Sequence, residues 1–128
     1  MEIKDVKAKD IMVIEMLTVN PKEKVAAADL LMVRNSIGGL PVIEDEKLVG
    51  ILTQRDIMLS RFSISVGGLQ VEDLMTRNPI KITPETSLEE ILEIMLTKGV
   101  ERLPVIKDDK LVGLVMHGQI LKKLYELL

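Results

Sequence analysis

Thr53-Gln54-Arg55-Asp56 is the stretch in which residue types and spacing could do chemistry. A hydroxyl and a carboxylate three residues apart form the pattern of a helix capping box, with Asp in place of Glu. In that role Thr53 accepts from the Asp56 amide and the carboxylate sits near the positive helix end, contributing about 0.5–2 kcal/mol. The same groups can recognise a ligand. A helix N-terminus with free amides is an anion site. A carboxylate there is an acceptor for two neighbouring hydroxyls, which is what a ribose diol offers. The two roles are compatible, and taken alone the spacing favours the cap.

Other chemistry-bearing residues are isolated. Arg102 reads by itself as a solvated arginine, and gains weight because it precedes a strand that looks buried. His117 is the only histidine, and with no carboxylate pattern to complete a site it does not read as a metal ligand. Gly38-Gly39 lacks the Gly-x-Gly-x-x-Gly pattern of a phosphate cradle and reads as a tight corner. The eight methionines read as core filling. No nucleophile–base pair stands out, so the chain does not read as an enzyme.

The elements that must position these residues come in two copies. Leu40–Gly50 and Leu103–Gly113 share nine of eleven residues at a shift of 63 positions. Over Asp10–Met58 and Asp73–Leu121, 14 of 49 positions are identical, which marks a duplication. Each copy reads as β-α-β-β-α. Met1 to Lys9 is a polar lead-in. Leu17-Thr18-Val19 and Ile80-Lys81-Ile82 are short strand candidates, followed by Pro21 and Pro84, which suit the approach to a helix. Apolar spacing predicts helices over Lys24–Arg34 and Ser87–Lys98, the second opened by a Ser87/Glu90 capping box and closed by Gly99. A strand pair follows in each copy, about Leu40–Ile43 and Leu48–Thr53 in the first, around a charged loop of hairpin length. The second strand of each pair is nearly continuously apolar, as a strand covered on both faces would be. A last helix starts at Gln54 and runs to about Arg61; its copy starts at Gln119 and runs to the C-terminus. Just past the second strand the copies part: Thr53-Gln54-Arg55-Asp56 against Met116-His117-Gly118-Gln119. A repeat that keeps its scaffold and changes its loop points to function in the loop.

Composition sets further bounds. The chain has 128 residues, 47% hydrophobic and 29% charged, which is globular. Each half alone is small enough that a core is marginal, so the halves are expected to share one. A net charge of −3 and only two aromatics, Phe62 and Tyr125, argue against a nucleic-acid binder. There is no cysteine, hence no disulfide framework and no thiolate chemistry. No signal-peptide pattern and no apolar run of membrane-spanning length is present, so a soluble, cytoplasmic protein is expected.

The element order, the Leu-Pro-Val-Ile box and Leu-Val-Gly-Ile-Leu-Thr-Gln-Arg-Asp-Ile resemble the CBS domain, named for cystathionine β-synthase. Two in tandem resemble a Bateman module, and the resemblance covers nearly the whole chain. It implies an α/β (α+β) fold of two β-α-β-β-α repeats, residues 10–62 and 73–128 with a linker at 63–72. The repeats would be related by a pseudo-two-fold axis, with sheets packed together and helices outside. It also implies an adenosine-containing ligand (AMP, ADP, ATP or S-adenosylmethionine) in the cleft between repeats, no required cofactor or metal, and a homodimer that reports to a regulated partner.

Carried over by motif position, the ligand site would comprise Gly50, Ile51, Thr53, Arg55 and Asp56 from the first repeat. The second repeat would add Ile80, Lys81, Glu101, Arg102, Leu103 and Pro104. In the family the aspartate holds ribose hydroxyls, and a cation before the Leu-Pro box, here Arg102, meets phosphate. Glu101 departs from the histidine sometimes found there. The reciprocal site, with Leu17, Gly38, Gly39, Met116 and Gln119, has lost both the threonine and the aspartate and reads as degenerate. Two functions stay open: a ligand-binding regulatory module, or an assembly module whose clefts are vestigial.

Overall fold

A computed structural model describes residues 1–60 and 68–128. The expected end of the first repeat's last helix at Arg61, Phe62, and half of the proposed linker, residues 63–67, lie outside the described residues. Two compact units result. One comprises Leu17–Pro79; the other combines Met1–Met16 with Ile80–Leu128.

In the unit of Leu17–Pro79, α2 (Val25–Arg34) leads to the hairpin β1 (Gly39–Glu44) and β2 (Lys47–Thr53), then α3 (Gln54–Ser60). After residue 67 come a single-turn α4 (Val71–Leu74) and a two-residue β3 (Thr76–Arg77). The sheet order is β1-β2-β3, antiparallel throughout. The hairpin turns at Asp45-Glu46, with φ of 52° and 67°, the paired left-handed geometry of a type I′ turn. Its register slips between Val42 and Ile43, so that Val42 faces Gly50 and Ile43 faces Leu48. Val49 is the extra residue of a bulge.

The other unit repeats this plan. It opens with a 3₁₀ turn (Ile3–Asp5) and α1 (Ala8–Ile11). The rest is α5 (Leu88–Lys98), β4 (Arg102–Lys107), β5 (Lys110–Met116) and α6 (His117–Glu126). The β4–β5 hairpin has the same turn, at Asp108-Asp109 with φ of 51° and 64°, and the same slip after Val105. Ser87 Oγ accepts from the Glu90 N–H at 3.2 Å to open α5, and Gly99 closes it in the left-handed region at φ 65°. Ser36, at φ 53°, takes the position of Gly99 at the end of α2.

Four expectations differ from the structure. The strands sought at Leu17–Val19 and Ile80–Ile82 shrink to single parallel bridges, Val19 to Val42 and Ile82 to Val105. The prolines beside them allow no longer ladder, because Pro41 and Pro104 lack the N–H it would need. β2 is covered on both faces only in part: Gly50 and Leu52 are buried, Val49 and Ile51 half-buried. The polar lead-in is not a free tail. Val6 and Ala8 have no exposed surface, and with Ile11 they join Ile82, Leu88, Ile91, Leu103, Val105 and Val115 in one core. The expected shared core is instead two clusters, the second built on Val25, Met32, Leu40, Val42, Leu52, Ile57, Val71 and Met75. Each cluster becomes large enough by borrowing the segment that precedes the other copy.

Candidate functional site

The end of β2 and the start of α3 hold Thr53 and Asp56 in a closed pair. The Thr53 N–H donates to Asp56 Oδ2 at 2.9 Å, and the Asp56 N–H donates to Thr53 Oγ1 at 3.2 Å. This is the capping box the spacing predicts. It fixes the carboxylate at the first turn of α3, half-buried, with Arg55 exposed beside it. Among the described residues Oδ1 of Asp56 accepts no hydrogen bond, so one oxygen anchors the group and the other is available.

The neighbouring strand completes this corner. Gly39 faces Thr53 and Pro41 faces Ile51 across the hairpin. Gly38 carbonyl accepts from the Gln54 N–H at 2.9 Å. Gly38 and Gly39, predicted for the degenerate site, are thus brought beside Thr53 and Gln54. Leu17, exposed at 40%, begins the same unit.

Gly50 has a packing role that sequence reasoning missed. A Cβ there would lie 2.6 Å from Met75 Sδ and 2.9 Å from the Thr76 carbonyl oxygen. The signal was present in Asp10-Ile11-Met12 and its copy Asp73-Leu74-Met75. Met12 covers Gly113 in the same way, with Sδ at 2.6 Å from a Cβ position.

The second-repeat residues lie in the other unit. Arg102 begins β4, facing Met116, and Leu103 and Pro104, both buried, face Val115 and Leu114. Arg102 Nη1 is 3.8 Å from Glu101 Oε2, a loose pair in which Glu101 is largely exposed. Ile80 and Lys81 are exposed just before the Ile82 bridge. Met116 offers α6 no side-chain cap, and Gln119 Oε1 is buried with no partner among the described residues. The corner that presents a carboxylate in one unit presents a thioether and an amide in the other.

Among the described residues no cluster of His, Asp or Glu could hold a metal, and no helix is long and apolar enough to cross a membrane.

The family model for the CBS domain matches residues 8–62 and 71–126. The chain belongs to the CBS domain family. Its two repeats are two CBS domains, mixed α+β with small antiparallel sheets. Among curated relatives, inosine-5′-monophosphate dehydrogenase of Korarchaeum cryptofilum is 39% identical over 110 residues, covering 85% of this chain and 22% of that protein. The chain therefore spans under a quarter of that dehydrogenase. The CBS domain-containing protein YhcV of Bacillus subtilis is 33% identical over 113 residues, covering 88% of this chain and 81% of that one. Among solved structures, CBSX2 in complex with AMP is 30% identical with a TM-score of 0.85, covering 94% of this chain and 97% of that one. CBSX2 is a CBS-pair protein of Arabidopsis thaliana.

Proposed function

We propose that this CBS pair is a non-catalytic regulatory module that binds an adenosine-containing ligand: AMP, ADP, ATP or S-adenosylmethionine. The observation that carries the reading is the Asp56 carboxylate, anchored to the Thr53 N–H through Oδ2 while Oδ1 accepts nothing among the described residues. A ribose presents two adjacent hydroxyl donors, and a preset carboxylate accepts both without losing its cap. The AMP complex of CBSX2 supports the ligand class. Thr53 sits beside the sugar. Ile51, Arg55, Ile80, Lys81, Glu101 and Arg102 complete the proposed set, with Arg102 answering phosphate. Because Met116 and Gln119 offer no carboxylate, one ligand binds per chain. Signalling requires that the ligand favour one conformation of the module over another, which a cytoplasmic partner protein then reads.

Titration calorimetry with the four ligands tests this. One equivalent of heat per chain is expected, lost in Asp56→Ala. Two charge-assisted hydrogen bonds are worth roughly 2–4 kcal/mol, about 30- to 1000-fold in affinity. Folding stability should fall by only about 0.5–2 kcal/mol. Asp56→Asn keeps an oxygen for the cap and removes the charge, so it should spare stability and still weaken binding. A second reading, assembly as a homodimer with vestigial ligand sites, is favoured by the exposed Leu30, Val33, Leu96, Leu121 and Tyr125. No heat and no shift in melting temperature with any ligand would select it.

A further inference from the structure

The segments that precede the two copies are exchanged, and their backbone bonds are the same. Ala8 and Lys9 donate to the carbonyls of Thr86 and Pro84 at 2.8 and 3.0 Å. Val71 and Glu72 donate to those of Glu23 and Pro21 at 2.8 and 3.0 Å. Shifted by 63 positions, these are one set of contacts made twice. Lys7 bridges Ser87 as Gln70 bridges Lys24. Met12 covers Gly113 as Met75 covers Gly50. Nothing in this backbone pattern tells residues 6–12 which copy to join, or residues 69–75.

The charges do. Lys9 Nζ lies 3.0 Å from Glu85 Oε1, and Lys7 Nζ lies 2.9 Å from Glu85 Oε2. At the equivalent place in the other unit, Lys22 Nζ lies 2.7 Å from Glu72 Oε1. Lys9 is the counterpart of Glu72, and Glu85 is the counterpart of Lys22. The sign of the pair is reversed between units: basic segment on acidic copy, acidic segment on basic copy. Exchanging the segments would set Lys9 against Lys22 and Glu72 against Glu85.

We propose that the reversed pair Lys9–Glu85 and Lys22–Glu72 is a pairing code that assigns each leading segment to the opposite copy and penalises the alternative. An exposed ion pair adds little stability by itself. A choice between two otherwise matching docks needs only a difference, and here attraction at two places would become repulsion at two. The apolar anchors carry no sign. The electrostatic environment is consistent: the two lysines hold the Glu85 carboxyl down at about 2, and hydrogen bonding to Glu72 raises Lys22, whose surroundings also include Glu44 and Asp73.

The test uses the full chain, whose lack of cysteine makes introduced pairs clean reporters. Lys24→Cys with Gln70→Cys reports native docking, because those residues face each other in an antiparallel bridge. Gln70→Cys with Ser87→Cys reports exchanged docking. Each pair is refolded under oxidising conditions in three charge backgrounds, all carrying Lys7→Gln so that the second lysine on Glu85 does not oppose the reversed charge: the remaining native charges, Lys9→Glu with Glu72→Lys, and both of these with Lys22→Glu and Glu85→Lys. In the two-charge background the exchanged disulfide in monomer should rise about threefold or more relative to the native one. The Tm should fall by about 1–4 °C per opposed pair. The four-charge background should restore both readouts. A disulfide ratio indifferent to charge, or a Tm that the four-charge variant does not recover, would overturn the code.

Discussion

Gly50→Ala puts the packing between β2 and its cover to a direct test. The added Cβ would meet Met75 Sδ at 2.6 Å, Met75 Cγ at 3.0 Å and the Thr76 carbonyl oxygen at 2.9 Å. The methionine can swing aside, since thioether side chains adapt readily. The carbonyl cannot, because Thr76 pairs with Ile51 in the β2–β3 ladder. Overpacking of this kind costs about 1–3 kcal/mol, while replacing a strand glycine by alanine returns about 0.5–1 kcal/mol. The net expectation is a loss of roughly 1–2 kcal/mol. Gly113→Ala is the internal control. Its three nearest atoms, from 2.6 to 3.0 Å, all belong to the Met12 side chain, with no backbone atom among them. It should cost less, within about 1 kcal/mol of neutral. The assay is urea unfolding of both variants, alone and combined with Met75→Ala or Met12→Ala. Removing the methionine beyond Cβ should relieve most of the Gly113 penalty, leaving only the 3.0 Å contact with the Cβ of residue 12, and leave the Gly50 penalty standing. A neutral Gly50→Ala, or one fully relieved by Met75→Ala, would refute the argument that the Thr76 backbone sets the limit.

Three further outcomes follow from the geometry. The Glu85 carboxyl is lowered to about 2 from 4.5, first by its hydrogen bonds to Lys7 and Lys9. A depressed carboxylate lends stability above pH 4.5 that is lost as pH falls through about 2, so Glu85→Gln should flatten the acid limb of a Tm–pH curve in that window. The difference should shrink in about 1 M salt, where screening acts within about 3 Å. Ser36→Gly should stabilise the end of α2, and Gly99→Ala destabilise the end of α5, each by about 0.5–2 kcal/mol in denaturant midpoints, because both positions are left-handed. Asp45→Asn with Glu46→Gly should raise the urea midpoint by the equivalent of about 0.5–1.5 kcal/mol, since Asn-Gly suits the two positive φ angles better than Asp-Glu.

The parts of this structure most legible in the sequence are those made by local rules. Apolar periodicity gave α2 and α5 to within a residue, Ser87 and Gly99 marked the ends of α5, and the Thr53/Asp56 spacing named a hydrogen-bonded pair that exists. Parts that depend on distant partners were not legible. Val6 and Ala8 stand in a polar stretch, and their burial arises only because residues 84–88 lie alongside. α4 and β3 are too short to show periodicity, and the Met75 contact with Gly50 spans 25 positions. The candidate site divides along the same line. The capped carboxylate is a local feature; which groups from the other repeat answer it is a long-range matter that the motif resemblance supplies and Asp56 alone does not.

The exchange of leading segments bears on how such a chain could have arisen. A single copy, carrying its own leading segment, would have the acceptor for that segment but by this topology would place it elsewhere. Its simplest partner would be a second identical molecule, each lending its segment to the other as in domain swapping. Fusing two such molecules end to end turns a concentration-dependent association into an intramolecular one, with the high effective concentration of a short tether. Once fused, the two interfaces are free to diverge. One can keep a carboxylate while the other loses it, and salt links that had to be identical in a symmetric pair can take opposite signs.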